Sequence, residues 1–261
     1  MKSLGRLLST LAGLLALWQV IVTFGELPPY ILPDPLAVIS VLWKDSGPLL
    51  YHAGVTGLEI ILGMVFGTLL GCASALLLSY SQHARRWLLP MLIASQAIPV
   101  FAIAPLLVLW LGYGMGSKIA MSMLIIYFPV TANFYDGLRH TPRGWLDLAR
   151  VMLPGSQPGS HRWAILRHIA IPAALPALAS GLRVAAAVAP IGAVLGEWVG
   201  SSAGLGYLML HANSRMQVSL MFAALFVLAA LAVLLYFFVD AGLRRLLPWH
   251  PITPTTDPET Y

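Results

Sequence analysis

Six long apolar segments constrain the fold of this 261-residue chain more than any other feature of its sequence. A transmembrane helix needs about 20 mostly apolar residues, so segments of this kind indicate a chain that lipid surrounds. We therefore predict an all-α integral membrane bundle of about six transmembrane helices. The predicted spans are residues 7–24, 55–80, 88–111, 119–135, 171–199 and 220–239.

The charge content supports a membrane protein and argues against a nucleic-acid-binding one. Charged residues make up 10% of the chain, whereas soluble domains carry about 25%. The formal net charge is +5, but the basic residues lie between the apolar segments and do not form one patch. We expect membrane lipid, and no nucleic acid, as a partner.

The positions of lysine and arginine predict how the spans are oriented, because cytoplasmic loops are enriched in these residues. Under the six-span arrangement most of them fall on one side, whereas Lys44, Lys118 and Arg215 fall on the other. Both termini are therefore expected in the cytoplasm. The first span is longer than the apolar part of a signal peptide, which is about 7–15 residues, so we interpret it as a retained helix.

The segments between the spans differ in length and composition. Residues 25–54 contain five prolines and a short predicted helix near residues 36–43. Residues 137–170 form the longest cytoplasmic loop. We assign residues 1–247 to one transmembrane domain, and the Pro- and Thr-rich residues 248–261 to a disordered cytoplasmic tail.

Small residues recur at every fourth position of the second predicted span. On a helix these positions share one face, which lets a second backbone approach closely. We interpret this face as a helix-packing surface that carries no information about a ligand. The residues are Gly63, Gly67, Gly71, Ala75 and Ser79.

Polar residues inside membrane spans are costly, which makes them functional candidates by default. Gln96, Asn133, Glu197 and the neighbouring Trp198 are the predicted residues of a translocation path. For Glu59, near the outer end of its span, an interfacial position and a functional role are equally compatible with the sequence.

Glu197 has two possible roles, because an irregular turn with Gly200, Gly204 and Gly206 follows it. Such a turn can line a cavity, in which case the carboxylate faces a solute. Alternatively, the carboxylate is structural and accepts hydrogen bonds from the glycine-rich turn itself. The sequence leaves both roles open.

The sequence lacks the motifs of metalloproteases and of P-loop ATPases. It contains neither HExxH nor GxxxxGK[ST], and its seven histidines are not paired at metal-ligand spacing. We therefore expect a protein that is not an enzyme and that binds no cofactor directly. Any driving energy must come from a partner or from an ion gradient.

The loop at residues 137–170 is the most informative part of the sequence. Leu146, Ala149 and Arg150 are predicted to share one helical face, and so are Trp163, Leu166 and Arg167. One interpretation is an amphipathic helix that lies on the bilayer. The other is a protruding helical hairpin that docks on a soluble partner.

This loop resembles the cytoplasmic EAA loop of ABC-importer permeases. The segment Asp147-Leu148-Ala149 matches the acidic start of that pattern, Gly159 matches its glycine, and Ile171-Pro172 matches its exit into the next span. About six additional residues around 153–158 depart from the family pattern. The resemblance implies that the loop couples to an ATPase, through Asp147, Ala149, Arg150, Gly159, Trp163 and Arg167.

Two further segments resemble the permeases that import sulfonates, taurine, nitrate and thiamine precursors. Residues 96–114 are similar to the third-span region of that family. Residues 190–209 are most similar to its hydroxymethylpyrimidine branch, which carries a thiamine precursor. The resemblance implies the fold of a type I ABC importer permease in the bacterial cytoplasmic (inner) membrane.

The resemblance also implies partners and a solute. Two permease chains, expected to be identical, form the pore; separate ABC ATPase subunits use the ATP; and an extracytoplasmic binding protein delivers the solute. The expected solute is a thiamine-precursor pyrimidine, with sulfonate, taurine or nitrate as the alternative. A carboxylate beside an indole, Glu197 beside Trp198, suits an aminopyrimidine that stacks and donates hydrogen bonds.

Two other classes of transport protein compete with this interpretation. An ion-coupled secondary transporter predicts internal repeats and more charges near the membrane midplane, and the sequence shows neither. A channel is excluded only weakly by the sequence.

Overall fold

The computed structural model describes residues 2–152 and 163–249, and its regular secondary structure there is entirely helical. The stretch Trp163–Gly200 is helical throughout and contains a π-helical turn, Leu166–Ala170, before α8. The α-helices are α1 (Lys2–Phe24), α2 (Pro35–Lys44), α3 (Ser46–Tyr80), α4 (Gln82–Ser95), α5 (Val100–Leu111), α6 (Met115–Arg139), α7 (Arg143–Met152), α8 (Ile171–Gly200), α9 (Leu205–Ser214) and α10 (Val218–Leu246).

Length and composition make four helical stretches of the described chain suitable for crossing a membrane. They are α3, α6, Trp163–Gly200 and α10, and the bent pair α4–α5 would make a fifth span. The predicted first span, residues 7–24, lies within α1. The all-α membrane fold is confirmed, with four to five such spans in the described residues where six were predicted.

The predicted third span, residues 88–111, is wrong as a single helix. The chain bends by 105° between α4 and α5. Pro99 lies at this break; it has no N–H to donate, and its ring disfavours helical backbone at Ile98. The amide of Ala97 donates to the carbonyl of Ala94 at 3.0 Å, which closes α4 with a tight turn. Gln96 therefore lies in a bend and not in the middle of a span.

The contacts divide the chain into two compact units. The first consists of Met1–Gly63, Val100–Ser122 and Pro190–Val233. Its apolar core is formed by Val38, Leu49, Leu205, Ala223 and Ala224. The short helix predicted near residues 36–43 is confirmed as α2, which starts at Pro35, where a missing N–H costs no helical hydrogen bond.

The second unit consists of Met64–Pro99, Met123–Ala189 and Leu234–Tyr261. Its core includes Ala75, Leu78 and Phe134. A Cβ added at Gly71 would lie 2.9 Å from Cγ1 of Val130, and one added at Gly67 would lie 2.8 Å from Cγ2 of Ile126. The predicted small-residue face is thus confirmed as the surface on which α3 packs against α6 in this unit.

The predicted loop at residues 137–170 is largely helical where the structure describes it. α6 continues to Arg139, and α7 starts only four residues later. Gly159 and the additional residues around 153–158 lie outside the described residues, and so do residues 250–261 of the predicted tail.

Candidate functional site

A buried carboxylate near the end of α8 organises the start of α9. Glu197 is 1% exposed, and both of its oxygens accept hydrogen bonds. The Thr56 hydroxyl donates to Oε1 at 2.6 Å. The backbone amides of Gly206 and Tyr207 donate to Oε2 at 2.5 and 3.2 Å. These are the bonds that the structural alternative for Glu197 predicts.

The bonds to Glu197 belong to a complete set at the first turn of α9. The first amides of a helix have no partner within the helix and attract negative charge. The amide of Gly204 donates to Nδ1 of His52 at 3.0 Å, and that of Leu205 donates to Oγ1 of Thr56 at 2.8 Å. Side chains of α3 and α8 therefore satisfy four consecutive amides, from residue 204 to residue 207.

Gly204 makes this close approach possible. Its φ of 118° and ψ of 165° lie in a region that is essentially restricted to glycine. A Cβ at this position would also overlap the carboxyl group of Glu197. Position 204 therefore requires glycine for two reasons. Its backbone conformation disfavours other residues, and there is no room for a side chain.

An ion pair lies buried in the same unit. Nζ of Lys118, in α6, is 2.9 Å from Oε1 of Glu59, in α3, and the two side chains are 8% and 0% exposed. The structure therefore places Glu59 in a buried pair and not at an interface. The distribution of basic residues placed Lys118 on the outer side of the membrane, and its partner, 59 positions away in the chain, left no local signal in the sequence.

Aromatic rings continue outward from the capped end of α9. The rings of Tyr207 and His211 stack with centroids 4.9 Å apart, and the centroid of the His52 ring lies 6.0 Å from that of Tyr207. His211 is exposed and the other two rings are partly exposed. This row of three rings, which we call the aromatic ladder, was missed in the sequence because its members lie on two different helices.

The four predicted translocation-path residues do not form one cluster within either unit. Gln96 is exposed in the bend after α4. Asn133 donates from Nδ2 to the carbonyl of Pro129 at 2.8 Å, one turn earlier in α6. In the other unit, Trp198 is exposed beside the buried Glu197.

Residues 200–204 fit the GxSxG pattern of serine hydrolases, with Ser202 at the position of the nucleophile. That motif requires a strand followed by a sharp turn into a helix. Within residues 2–152 and 163–249 the structure contains no strand, and α8 precedes this segment. The match therefore does not indicate hydrolase chemistry.

The helix α7 presents one buried and one exposed face. Ala149 is buried and Leu146 is partly buried, whereas Trp145 and Leu148 are more than half exposed. Asp147 is also exposed. An apolar cavity of about 850 Å³ lies beside α7, and its lining includes Trp145, Leu148, Ala149, Met152, Pro172 and Trp249.

The second predicted loop face is wrong in part. Leu166 is buried, whereas Trp163 and Arg167 are exposed. A π-helical turn, Leu166–Ala170, follows Trp163 in this stretch. Arg150 belongs to α7.

A family model matches most of the chain. The model is described as "Binding-protein-dependent transport system inner membrane component", and it matches residues 63–249. This segment contains all ten residues predicted for coupling or for the translocation path.

Curated relatives match the chain over nearly its full length. A protein of Haemophilus influenzae named "Probable ABC transporter permease protein" is 58% identical over 90% of this chain and 93% of its own length. The riboflavin transport system permease protein RibX of Chloroflexus aurantiacus is 38% identical, over 92% and 88% of the two chains. The formylaminopyrimidine transport permease protein ThiX of Halalkalibacterium halodurans is 34% identical, over 90% and 92%.

A solved structure shares the fold. A chain of the MetNI methionine ABC transporter in an inward-facing conformation superposes with a TM-score of 0.64 at 19% sequence identity. The alignment covers 79% of this chain and 98% of the other. At this identity the likeness bears on the fold alone.

Proposed function

This chain belongs to the family of inner membrane components of binding-protein-dependent transport systems, and from that premise we propose that it imports a neutral heteroaromatic solute. The family match over residues 63–249 carries the assignment to this family. The chain is a permease subunit of an ABC importer and not an enzyme; ATP hydrolysis belongs to a separate subunit.

The proposal includes the partners and the orientation of the chain. Two identical copies form the pore, ABC ATPase subunits bind at α7, and an extracytoplasmic solute-binding protein delivers the solute. Both termini lie in the cytoplasm, as the distribution of lysine and arginine predicts. Residues 1–247 then act as one transmembrane domain whose cytoplasmic loop includes Asp147, Ala149, Arg150, Gly159, Trp163 and Arg167.

The orientation has a direct test. A reporter enzyme that is active only outside the cytoplasm is expected to work when fused after Asn213, in α9, and to fail when fused within residues 153–158. Fusions that preserve expression, measured by immunoblot, serve as the control. The opposite activity pattern would contradict the orientation, because it places the arginine-rich side outside.

The exposed face of α7 supports ATPase docking there. Trp145 and Leu148 are large apolar side chains that remain more than half exposed in this chain. An exposed apolar patch bordered by polar residues marks an interaction site in many proteins. The adjoining cavity gives this patch a concave border, which suits insertion of a side chain from a partner.

Leu148→Glu is expected to uncouple transport from ATP hydrolysis. The substitution places a charge in the proposed apolar contact, where an unpaired carboxylate loses its hydration. The measurement is solute uptake and solute-stimulated ATPase activity of the assembled complex, and uptake should fall at least tenfold. Leu148→Met keeps an apolar side chain of similar volume and should stay near wild type. Full uptake by the glutamate variant would remove α7 from the coupling role.

The solute proposal rests on the relatives and on the chemistry of the first unit. The riboflavin and formylaminopyrimidine permeases are named for planar nitrogen heterocycles. The aromatic ladder and Trp198 offer exposed rings for stacking such a solute. Because three donors of the chain already occupy Glu197, we assign solute recognition to rings rather than to this carboxylate.

Competition uptake in cells that produce the whole complex tests the solute class. A thiamine-precursor pyrimidine is expected to block uptake of its labelled form completely at hundredfold excess, whereas taurine, an alkanesulfonate and nitrate have no effect. A neutral heterocycle can stack on the ladder without a cationic partner, and the buried Lys118 is already paired with Glu59. Block by the sulfonates, without block by the pyrimidine, would overturn the solute and leave the permease assignment intact.

A further inference from the structure

Two arginines share one carboxylate in the second unit. Nε of Arg183, in α8, donates to Oδ1 of Asp240 at 2.7 Å. Nε of Arg244, one turn after Asp240 in α10, donates to Oδ2 at 2.7 Å. The three side chains join α8 to α10. We call Arg183 and Arg244, together with the Asp240 carboxylate that they share, the arginine pair.

The arginine pair carries an excess of one positive charge. The Asp240 side chain is only 12% exposed and both of its oxygens are occupied, whereas Arg183 and Arg244 are 28% and 56% exposed. Within residues 2–152 and 163–249, Asp240 is the carboxylate that pairs with either guanidinium. Each guanidinium has five N–H donors, so most of the donors on this exposed side remain available to an anion.

The position of the arginine pair makes that excess charge costly without a partner. Asp240 lies about 9 Å, and Arg244 about 3 Å, before the end of α10, at 1.5 Å per residue. A charge at this depth of a membrane helix is expensive unless it is paired. A further anion beside the two guanidinium groups would lower this cost.

The surface next to the arginine pair is apolar and faces outward. Leu234, Phe237 and Phe238 precede Asp240 by two to six residues in α10, and all three are more than 60% exposed. In a membrane-spanning helix such side chains contact acyl chains. The site therefore combines an anion-binding end with a hydrocarbon-binding face, which is the pattern of a phospholipid and not of a free ion.

We propose that Arg183 and Arg244 bind the phosphate of an anionic phospholipid whose acyl chains lie along Leu234, Phe237 and Phe238. Guanidinium groups bind phosphate oxygens through paired, charge-assisted hydrogen bonds. Basic pockets between membrane helices bind anionic headgroups in the same way. The bound lipid bridges α8 and α10, and this inference is independent of the solute proposed above.

Lipid retention by the purified full-length chain tests the site. Native mass spectrometry follows the release of phosphatidylglycerol and of phosphatidylcholine from wild type, Arg244→Gln and Arg245→Gln. Arg245 is the next residue on α10 and lies outside the arginine pair, so its variant matches the loss of charge. We expect wild type and Arg245→Gln to retain phosphatidylglycerol preferentially, and Arg244→Gln to retain about fivefold less.

Several outcomes would overturn the proposal. An equal loss of phosphatidylglycerol retention in Arg244→Gln and Arg245→Gln would indicate diffuse attraction of the lipid to a basic helix end. No preference for phosphatidylglycerol over phosphatidylcholine would exclude a headgroup site. Stabilisation by inorganic phosphate equal to that by phosphatidylglycerol would assign the site to a free anion. If Arg244→Gln fails to fold, Arg244→Lys replaces it: retention at the wild-type level would exclude the paired hydrogen bonds, and retention between wild type and background supports them.

Discussion

Gly204→Ala is expected to destabilise the protein by about 3 kcal/mol or more and to abolish uptake. The native φ of 118° at this position costs a residue with a side chain about 1–3 kcal/mol. The new Cβ would in addition overlap the Glu197 carboxyl group, which three hydrogen bonds hold in place. Relief of the overlap requires the first turn of α9 to move, which leaves buried amides without acceptors.

The thermal unfolding midpoint of the chain in detergent measures this effect. Gly54→Ala is the matched control, because Gly54 lies within α3 and no atom would come within 4 Å of its added Cβ. That control is expected to unfold at the wild-type temperature or at a slightly higher one, since alanine favours a helix over glycine by about 1 kcal/mol. A Gly204→Ala chain that melts with the control would show that Glu197 does not hold this turn.

The second large effect concerns the buried pair of Glu59 and Lys118. Removing either partner, by Glu59→Gln or Lys118→Met, is expected to cost about 3–5 kcal/mol, because the remaining charge stays buried and unpaired. The double variant removes both charges and should recover most of that loss. Replacing a buried ion pair by neutral groups is often close to neutral in its net effect on stability.

A double-mutant cycle on unfolding in SDS gives the coupling energy between the two positions. Asp136→Asn is the control, because the carboxylate of Asp136 in α6 is 68% exposed beside His140. Its effect should remain within about 0.5 kcal/mol, as for other exposed sites. Strictly additive losses in the double variant would mean that the two charges do not stabilise each other.

Hydrophobicity predicted the helices well but could not place the bend between α4 and α5. A continuous apolar run reports only that its residues avoid water, and both a straight and a bent helix satisfy that condition. Pro99 and Pro105 were both visible in the sequence. Pro105 lies inside α5 without ending it, whereas Pro99 stands at the break. Whether a proline ends a helix depends on which backbone carbonyls lose their N–H donors in the folded chain. The hydrophobicity of the segment does not report this.

The candidate site was predicted in part. Glu197 and the glycines that follow it were identified together, because they are close in the chain. Thr56 and His52 were missed, since they lie 141 and 152 positions from the groups they bind. Lys118 was placed on the outer side of the membrane by counting basic residues in the loops. That rule assumes that every basic residue is hydrated. A carboxylate at Glu59 with no nearby partner was the one local signal that a distant cation was needed.

The hydrogen bonds of Thr56 have a consequence for how the first unit can change shape. Its hydroxyl donates to Glu197 and accepts from Leu205, so a single oxygen atom connects α3, α8 and α9. At 2.6 and 2.8 Å, these bonds tolerate little change in spacing before they break. The beginning of α9 therefore depends on the distance between its two neighbours: if α3 and α8 separate, either the amides of residues 204 and 205 or those of residues 206 and 207 lose their acceptors.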